Sequence, residues 1–162
     1  MSDAANKDRL NTLMCYNVYA LHHAFGRFYQ AAFADSGFTY PKYIVLLALN
    51  EGGPMSLGDL SAKVGLEANS LSPMVKKMSA FGLIERVRDP EDERRVLLSL
   101  KPYGETVLHE AHKVVEAGWN ALGLPDTTVE MTNAFLADTR ARLEKTPPKV
   151  KFKVPDREPD QG

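Results

Sequence analysis

The sequence predicts a mainly α-helical fold carrying one small β-hairpin. Three observations predict it. Long segments place apolar residues at three- and four-residue steps, the period of a helix with one buried face. Two short helical segments are separated by a tight glycine turn, the helix-turn-helix pattern. Behind them come two short runs rich in β-branched and apolar residues, joined by a charged turn.

The first segment, from Lys7 to Ala34, has no proline and one glycine, with Leu10, Leu13, Met14, Val18, Leu21, Phe25, Phe28 and Ala32 at helical spacing. "DSGFTYP" breaks it, and "YPKYIVLLALNEGG" predicts a second, mostly buried helix ended by the glycine pair. In "SLGDLSAKVGL" Ser56 stands in a capping position with Asp59 three residues on, so a short third helix follows and closes near Gly65. "EANSLSPMVKKMSAFGL" predicts a fourth helix with Leu71, Met74, Val75 and Met78 on one face and Gly82 as its stop. "LIERVR" and "RRVLLSL", joined through "DPEDE", read as a hairpin or wing. The helical period returns from Pro102 to Ala121 and from Asp126 to Lys145, interrupted by "GLP" at 123–125. Residues 146–162, with four prolines and little core-forming material, read as a flexible tail.

A chain of 162 residues fits one domain and is long enough for a core that needs no disulfide or structural metal. With one cysteine, Cys15, no intramolecular disulfide forms. The first ten residues lack the apolar run of a signal peptide, and no apolar stretch approaches the roughly eighteen residues of a membrane span, so a cytoplasmic protein without a membrane partner is expected. The net charge of −1 is not that of a chain basic throughout, so any nucleic-acid contact must be local.

A helix-turn-helix followed by a hairpin is a winged helix-turn-helix, which sets its second helix in the major groove of double-stranded DNA and lets the wing reach the minor groove. Segment 76–101 holds seven basic residues, Lys76, Lys77, Arg86, Arg88, Arg94, Arg95 and Lys101, against five acidic ones, a small local excess. Asp89 or Asp92 could hold an arginine such as Arg94 in a fixed rotamer; a solvated hairpin fits the charge pattern about equally well. "RVRDPEDERRVLLSL" resembles the wing of the MarR family of winged-helix repressors, a basic strand, D-x-x-D-x-R and an apolar strand, with Asp89, Asp92 and Arg94 on that pattern. "SLSPMVKKMSAFGLIERV" resembles the family's recognition helix. The resemblance implies a homodimer in which helices at about 8–34 and 102–145 intertwine, while a lobe at about 40–100 binds one half of a pseudo-palindromic operator; residues 1–145 form the domain. It also implies that Arg94 enters the minor groove, that Asn69, Ser70, Ser72 and Pro73 face base edges, and that Lys76 and Lys77 meet phosphates. Arg88, Asp92 and Arg95 complete the expected DNA-binding set.

Cys15 lies in "TLMCYNVYALHH", one turn before Tyr19 on the same face. A lone cysteine on an apolar helix is ordinarily an inert core residue. Here Tyr19, Tyr29 and Tyr40, with "TYPKY" at 39–43, resemble the organic-hydroperoxide-responsive branch of that family, OhrR, in which tyrosine hydroxyls bond a reactive cysteine on the first helix. Phenolic donors would stabilise the thiolate that a sensor needs. Fourteen residues along one helix are about 21 Å, so Tyr29 and Tyr40 can serve Cys15 only from the other subunit. Without a second cysteine, oxidised Cys15 would condense with a low-molecular-weight thiol, cyclise with a backbone nitrogen or over-oxidise.

Two alternatives stay open. A small aromatic or phenolic ligand could bind between the dimerisation helices and the lobe, with His22, His23 and Arg27 as pocket residues and Cys15 structural. "HEAH" at 109–112 sets two histidines three apart, a weak metal pair without a clear third ligand. No Gly-rich phosphate loop or nucleophile elbow is found, so neither an enzyme nor a cofactor is expected.

Overall fold

In a computed structural model of the chain, residues 9–90, 92 and 95–153 are described. They form six helices, α1 (Met14–Ala32), α2 (Tyr40–Gly52), α3 (Leu57–Val64), α4 (Ala68–Ala80), α5 (Pro102–Leu122) and α6 (Asp126–Lys145), with three strands, β1 (Met55–Ser56), β2 (Ile84–Arg88) and β3 (Val96–Leu100). The mainly helical fold with a hairpin wing is present as expected. The chain divides into two units, residues 1–121 and 122–162, described here separately.

The long first helix is shorter than its apolar period suggests. Leu10–Thr12 is a turn of 3-10 helix, Leu13 is extended with φ −84° and ψ 116°, and α1 starts only at Met14. The Asn17 amide marks the break: its Nδ2 donates across the extended Leu13 to the carbonyl of Asn11 at 2.9 Å, and to that of Leu13 at 3.1 Å, which also accepts the Asn17 N–H as the first bond of α1. Residues 7 and 8 lie outside the described part.

The helix-turn-helix follows its sequence signals closely. Ser56 caps α3, its Oγ accepting from the Asp59 N–H at 3.1 Å and donating to Asp59 Oδ2 at 2.6 Å. That hydroxyl is the first cause holding the exposed Asp59 carboxyl below the usual carboxylate range. Gly65 closes α3 at φ 68°, a left-handed conformation that costs a side-chain-bearing residue energy. The short β1 was not anticipated. Two residues leave no period to read, yet Met55 pairs with Leu98 and Ser56 with Leu97, giving an antiparallel sheet of order β1-β3-β2.

One apolar core joins these parts. Val45, Leu46 and Leu49 of α2, Leu60 of α3, Leu71, Val75 and Met78 of α4, and Ile84 and Leu98 of the sheet are buried together. Each buried leucine contributes about 1.5–3 kcal/mol. At the far side α1 packs on α5, with Phe25 and Trp119 rings 5.6 Å apart and the Phe28 ring lying over Gly118. The second unit carries α6, bearing an Arg142–Asp138 pair at 2.7 Å, and residues 146–153 beyond it without helix or strand. Residues 154–162 of the expected tail lie outside the described part.

The start of α5 fits against the end of α4 and β2 without slack. The Leu83 carbonyl accepts from the Lys101 N–H at 3.1 Å, and a Cβ added at buried Gly104 would overlap that same carbonyl. Gly104→Ala is therefore expected to lower the unfolding free energy by about 1–3 kcal/mol in urea denaturation. An unchanged midpoint would show that α5 can lift away from Leu83.

Candidate functional site

The outward face of α4 is built by default from what its inward face buries. Leu71, Val75 and Met78 are buried, so Asn69, Ser72, Pro73 and Lys76 fall in one exposed stripe, with Ser70 and Lys77 beside it. Pro73 sits inside the helix and has no N–H to give the Asn69 carbonyl one turn back. No Asp or Glu occurs in α4, so the stripe is short, polar and basic at its C-terminal half.

In the wing, β2 and β3 pair from Ile84↔Leu100 to Arg88↔Val96, which places Arg88 at the tip end of the hairpin. The turn closes through the Asp89 N–H donating to the Arg95 carbonyl at 3.0 Å and the Arg95 N–H donating to the Asp92 carbonyl at 2.8 Å. Arg94, the expected minor-groove residue, lies outside the described residues, as do Glu91 and Glu93. Arg95 meets Asp89 at 3.9 Å, and its other terminal nitrogen lies 3.6 Å from Asp59 on α3. This double contact braces the wing against the helix-turn-helix. Its groups are mostly exposed, so it serves orientation more than stability.

The four residues expected at the cysteine site fall into two places. Cys15, exposed, stands in the first turn of α1, and Tyr19, 62% exposed, follows one turn later with its ring edge-on to His23 at 4.4 Å. At the other end of α1, Tyr29 is buried and stacks on Tyr40 of α2 with ring centroids 4.1 Å apart. Tyr40 remains 41% exposed and closes the stack toward solvent. The structure thus joins Tyr29 to Tyr40, leaves Cys15 and Tyr19 one helical turn apart, and separates the two pairs by most of a helix.

Two residues outside the expected set extend the tyrosine end. Buried Tyr43 lies 6.4 Å from both Tyr29 and Tyr40, and its hydroxyl is hydrogen-bonded to His112 Nδ1 of α5 at 2.8 Å. Tyr43 was visible in "TYPKY", but its partner stands 69 positions away, beyond any local pattern. Burial, then the neighbouring phenol of Tyr29, raises the Tyr40 pKa; burial, then Tyr29, Tyr40 and Glu51, raises that of Tyr43. Both phenols therefore keep their protons at neutral pH and stay hydrogen-bond donors.

His112 and His109 also line an open cleft of about 250 Å³ with Leu47, Asn50, Glu105 and Leu108. Among the described residues no group of three or more His, Cys, Asp or Glu is placed to hold a metal ion. His22, His23 and Arg27 are exposed on α1, the two histidine rings 5.7 Å apart. No described helix is long and apolar enough to cross a membrane.

Comparison with known proteins gives a consistent result. The MarR family pattern matches residues 38–96. Over 135 residues the chain is 34% identical to the HTH-type transcriptional regulator TtmR of Methylorubrum extorquens, covering 83% of this chain and 64% of that protein, so it spans just under two thirds of that relative. It is also 34% identical over 116 residues to the organic hydroperoxide resistance transcriptional regulator of Bacillus subtilis, covering 72% of this chain and 77% of that one. The structure of reduced AbfR bound to DNA, a protein of Staphylococcus epidermidis, aligns with a TM-score of 0.68 at 26% identity, over 87% of this chain and 99% of that one.

The Tyr43–His112 contact is the site's long-range polar link. A double-mutant cycle of Tyr43→Phe and His112→Phe should give a coupling of about 0.5–1.5 kcal/mol in unfolding free energy at neutral pH. A coupling near zero would mean the bond adds nothing to holding α2 on α5.

Proposed function

The chain belongs to the MarR family of DNA-binding transcriptional regulators, and we propose that it is a dimeric repressor that senses organic hydroperoxides, or a related oxidant, through Cys15 and then releases its operator. The observation that carries this reading is the pairing of two incomplete ends. An exposed thiol with Tyr19 sits at one end of α1, and a stack of phenols, Tyr29 and Tyr40, sits at the other. A second copy running antiparallel would bring the partner's stack to Cys15. The exposed apolar residues Leu13, Met14, Val18 and Leu21 support such a copy, because a face of this kind is ordinarily covered.

The chemistry follows from the residue types. The Cys15 thiolate attacks the terminal oxygen of the hydroperoxide; the O–O bond breaks, the alkoxide leaves and takes a proton to become the alcohol, and the sulfur is left as a sulfenic acid. A low-molecular-weight thiol then condenses with it, releasing water and leaving a mixed disulfide. Phenolic donors favour the thiolate beforehand and lose their acceptor afterwards, so the enlarged sulfur no longer fits between them. The name of the Bacillus relative supports this signal class.

On the DNA side, Asn69, Ser70, Ser72 and Pro73 would face bases in the major groove, Lys76 and Lys77 phosphates, and Arg88, Asp92, Arg94 and Arg95 would form the wing contact. A second reading, induction by a small aromatic or phenolic ligand with Cys15 structural, draws on the cleft beside His109 and His112, which His22, His23 and Arg27, the pocket residues expected for it, do not line.

Stoichiometric cumene hydroperoxide with a sulfenate trap should give one adduct by intact mass, absent from Cys15→Ser. That variant should stay bound to its operator under oxidant. Tyr29→Phe and Tyr40→Phe should each slow adduct formation about tenfold, the loss of one bond to a charged acceptor. A wild-type protein that binds DNA and forms no adduct would sink the oxidant reading in favour of the ligand-induced one.

A further inference from the structure

The last described residues of the second unit form a pattern that neither the sensor nor the winged lobe uses. In "TPPKVKFKVP", Lys149, Lys151 and Lys153 alternate with Val150 and Phe152. The lysines are exposed, and Val150 and Phe152 are both 84% exposed, so the segment is not part of a core. No acidic residue occurs from Thr146 to Pro155; acids resume only at Asp156. In a chain of net charge −1, three unopposed lysines within five residues are a distinct positive segment.

Residues 146–153 form neither helix nor strand, and the chain bends at Lys149–Val150. Pro147 and Pro148 fix φ near −65° at its start and disfavour helix in the residue before each ring. The three lysines are exposed and one residue apart, so their long, flexible side chains can each reach a phosphate without a fixed backbone register.

We propose that Lys149, Lys151 and Lys153 form a second, sequence-independent contact with the DNA phosphate backbone, separate from the α4 stripe and the wing. The proposal rests on the DNA-binding reading above and adds to it an anchor after α6. Its signature is salt dependence: each neutralised phosphate adds about 0.9 to the slope of log affinity against log salt. The segment supplies affinity and association rate, and leaves base discrimination to α4.

The test compares the full chain with a Lys149→Gln/Lys151→Gln/Lys153→Gln variant on a fluorescein-labelled duplex of arbitrary sequence, across a salt series. The substitutions touch no buried group, and circular dichroism confirms the fold. The expected result is a slope shallower by about 2–3 for each engaged tail, with the preference for operator over arbitrary DNA unchanged. A variant slope equal to wild type overturns the proposal while leaving the DNA-binding reading intact, and so does a segment whose only measurable affinity is for vesicles of phosphatidylserine. A wild-type chain that binds no duplex at all overturns both.

Discussion

The rise of an α-helix, about 1.5 Å per residue, separates the two chemical ends of this molecule. α1 runs 19 residues from Met14 to Ala32. Its C-terminal half is fastened, with Phe25 against Trp119, Phe28 over Gly118 and Tyr29 in the aromatic stack. Its N-terminal half carries Cys15 and Tyr19 beside leucine, methionine and valine side chains left in solvent. A rigid rod with one end packed and the other bare cannot complete its own site. The same geometry that forbids Cys15 from reaching Tyr29 within one chain makes the proposed sensor a property of two chains. Covering the apolar half of α1 and completing the thiol's surroundings are then one event.

Consequences of that event reach the lobe through parts that have little freedom to adjust. Tyr43 sits in the stack and is tied to His112 on α5, so α2 and α5 share the tyrosine end. α5 leaves directly from β3, and its first turn lies against the Leu83 carbonyl with no room for a Cβ at Gly104. Close-packed contacts of this kind do not stretch; they hold or they shift to another arrangement. A change around the phenols therefore has a short physical route to the wing, through α5, and a second to α4 through the buried leucines of α2 and α3. In the proposed mechanism the distance between two lobes is the quantity that DNA reads, and these two routes set it.

Much of this was legible in the sequence because local signals stated it. Ser56 and Asp59 announced the start of α3, Gly65 and Gly82 its turn and the end of α4, and "GLP" the gap between α5 and α6. What failed to be legible depended on partners far away in the chain. The apolar period of residues 7–34 continues through Leu13, yet the helix begins only after it, where the Asn17 side chain reaches back to the Asn11 carbonyl. β1 exists only because β3 pairs with it, and His112 gains its role only from Tyr43. The wing's charges were readable as a motif but not as a network: Arg95 bridges Asp59 and Asp89, and Asp59 belongs to a helix thirty residues earlier, an arrangement that no spacing rule supplies.

A net charge of −1 looks unpromising for a DNA-binding chain until its distribution is followed. Several acids have internal duties: Asp59 is bonded to Ser56 and lies near Arg95, and Glu110 pairs with Lys113. α4, by contrast, carries two lysines and no acid. Such a chain attracts DNA weakly as a whole and strongly at a few places, so its affinity depends on several contacts being made together. Each 1.4 kcal/mol lost is a tenfold change in affinity, and a respacing that breaks only the contacts of one lobe removes several such steps. Near-neutral total charge thus suits the proposed repressor, which must let go: beyond the proposed lysine contact after α6, little electrostatic attraction remains to hold it once the aligned contacts are gone.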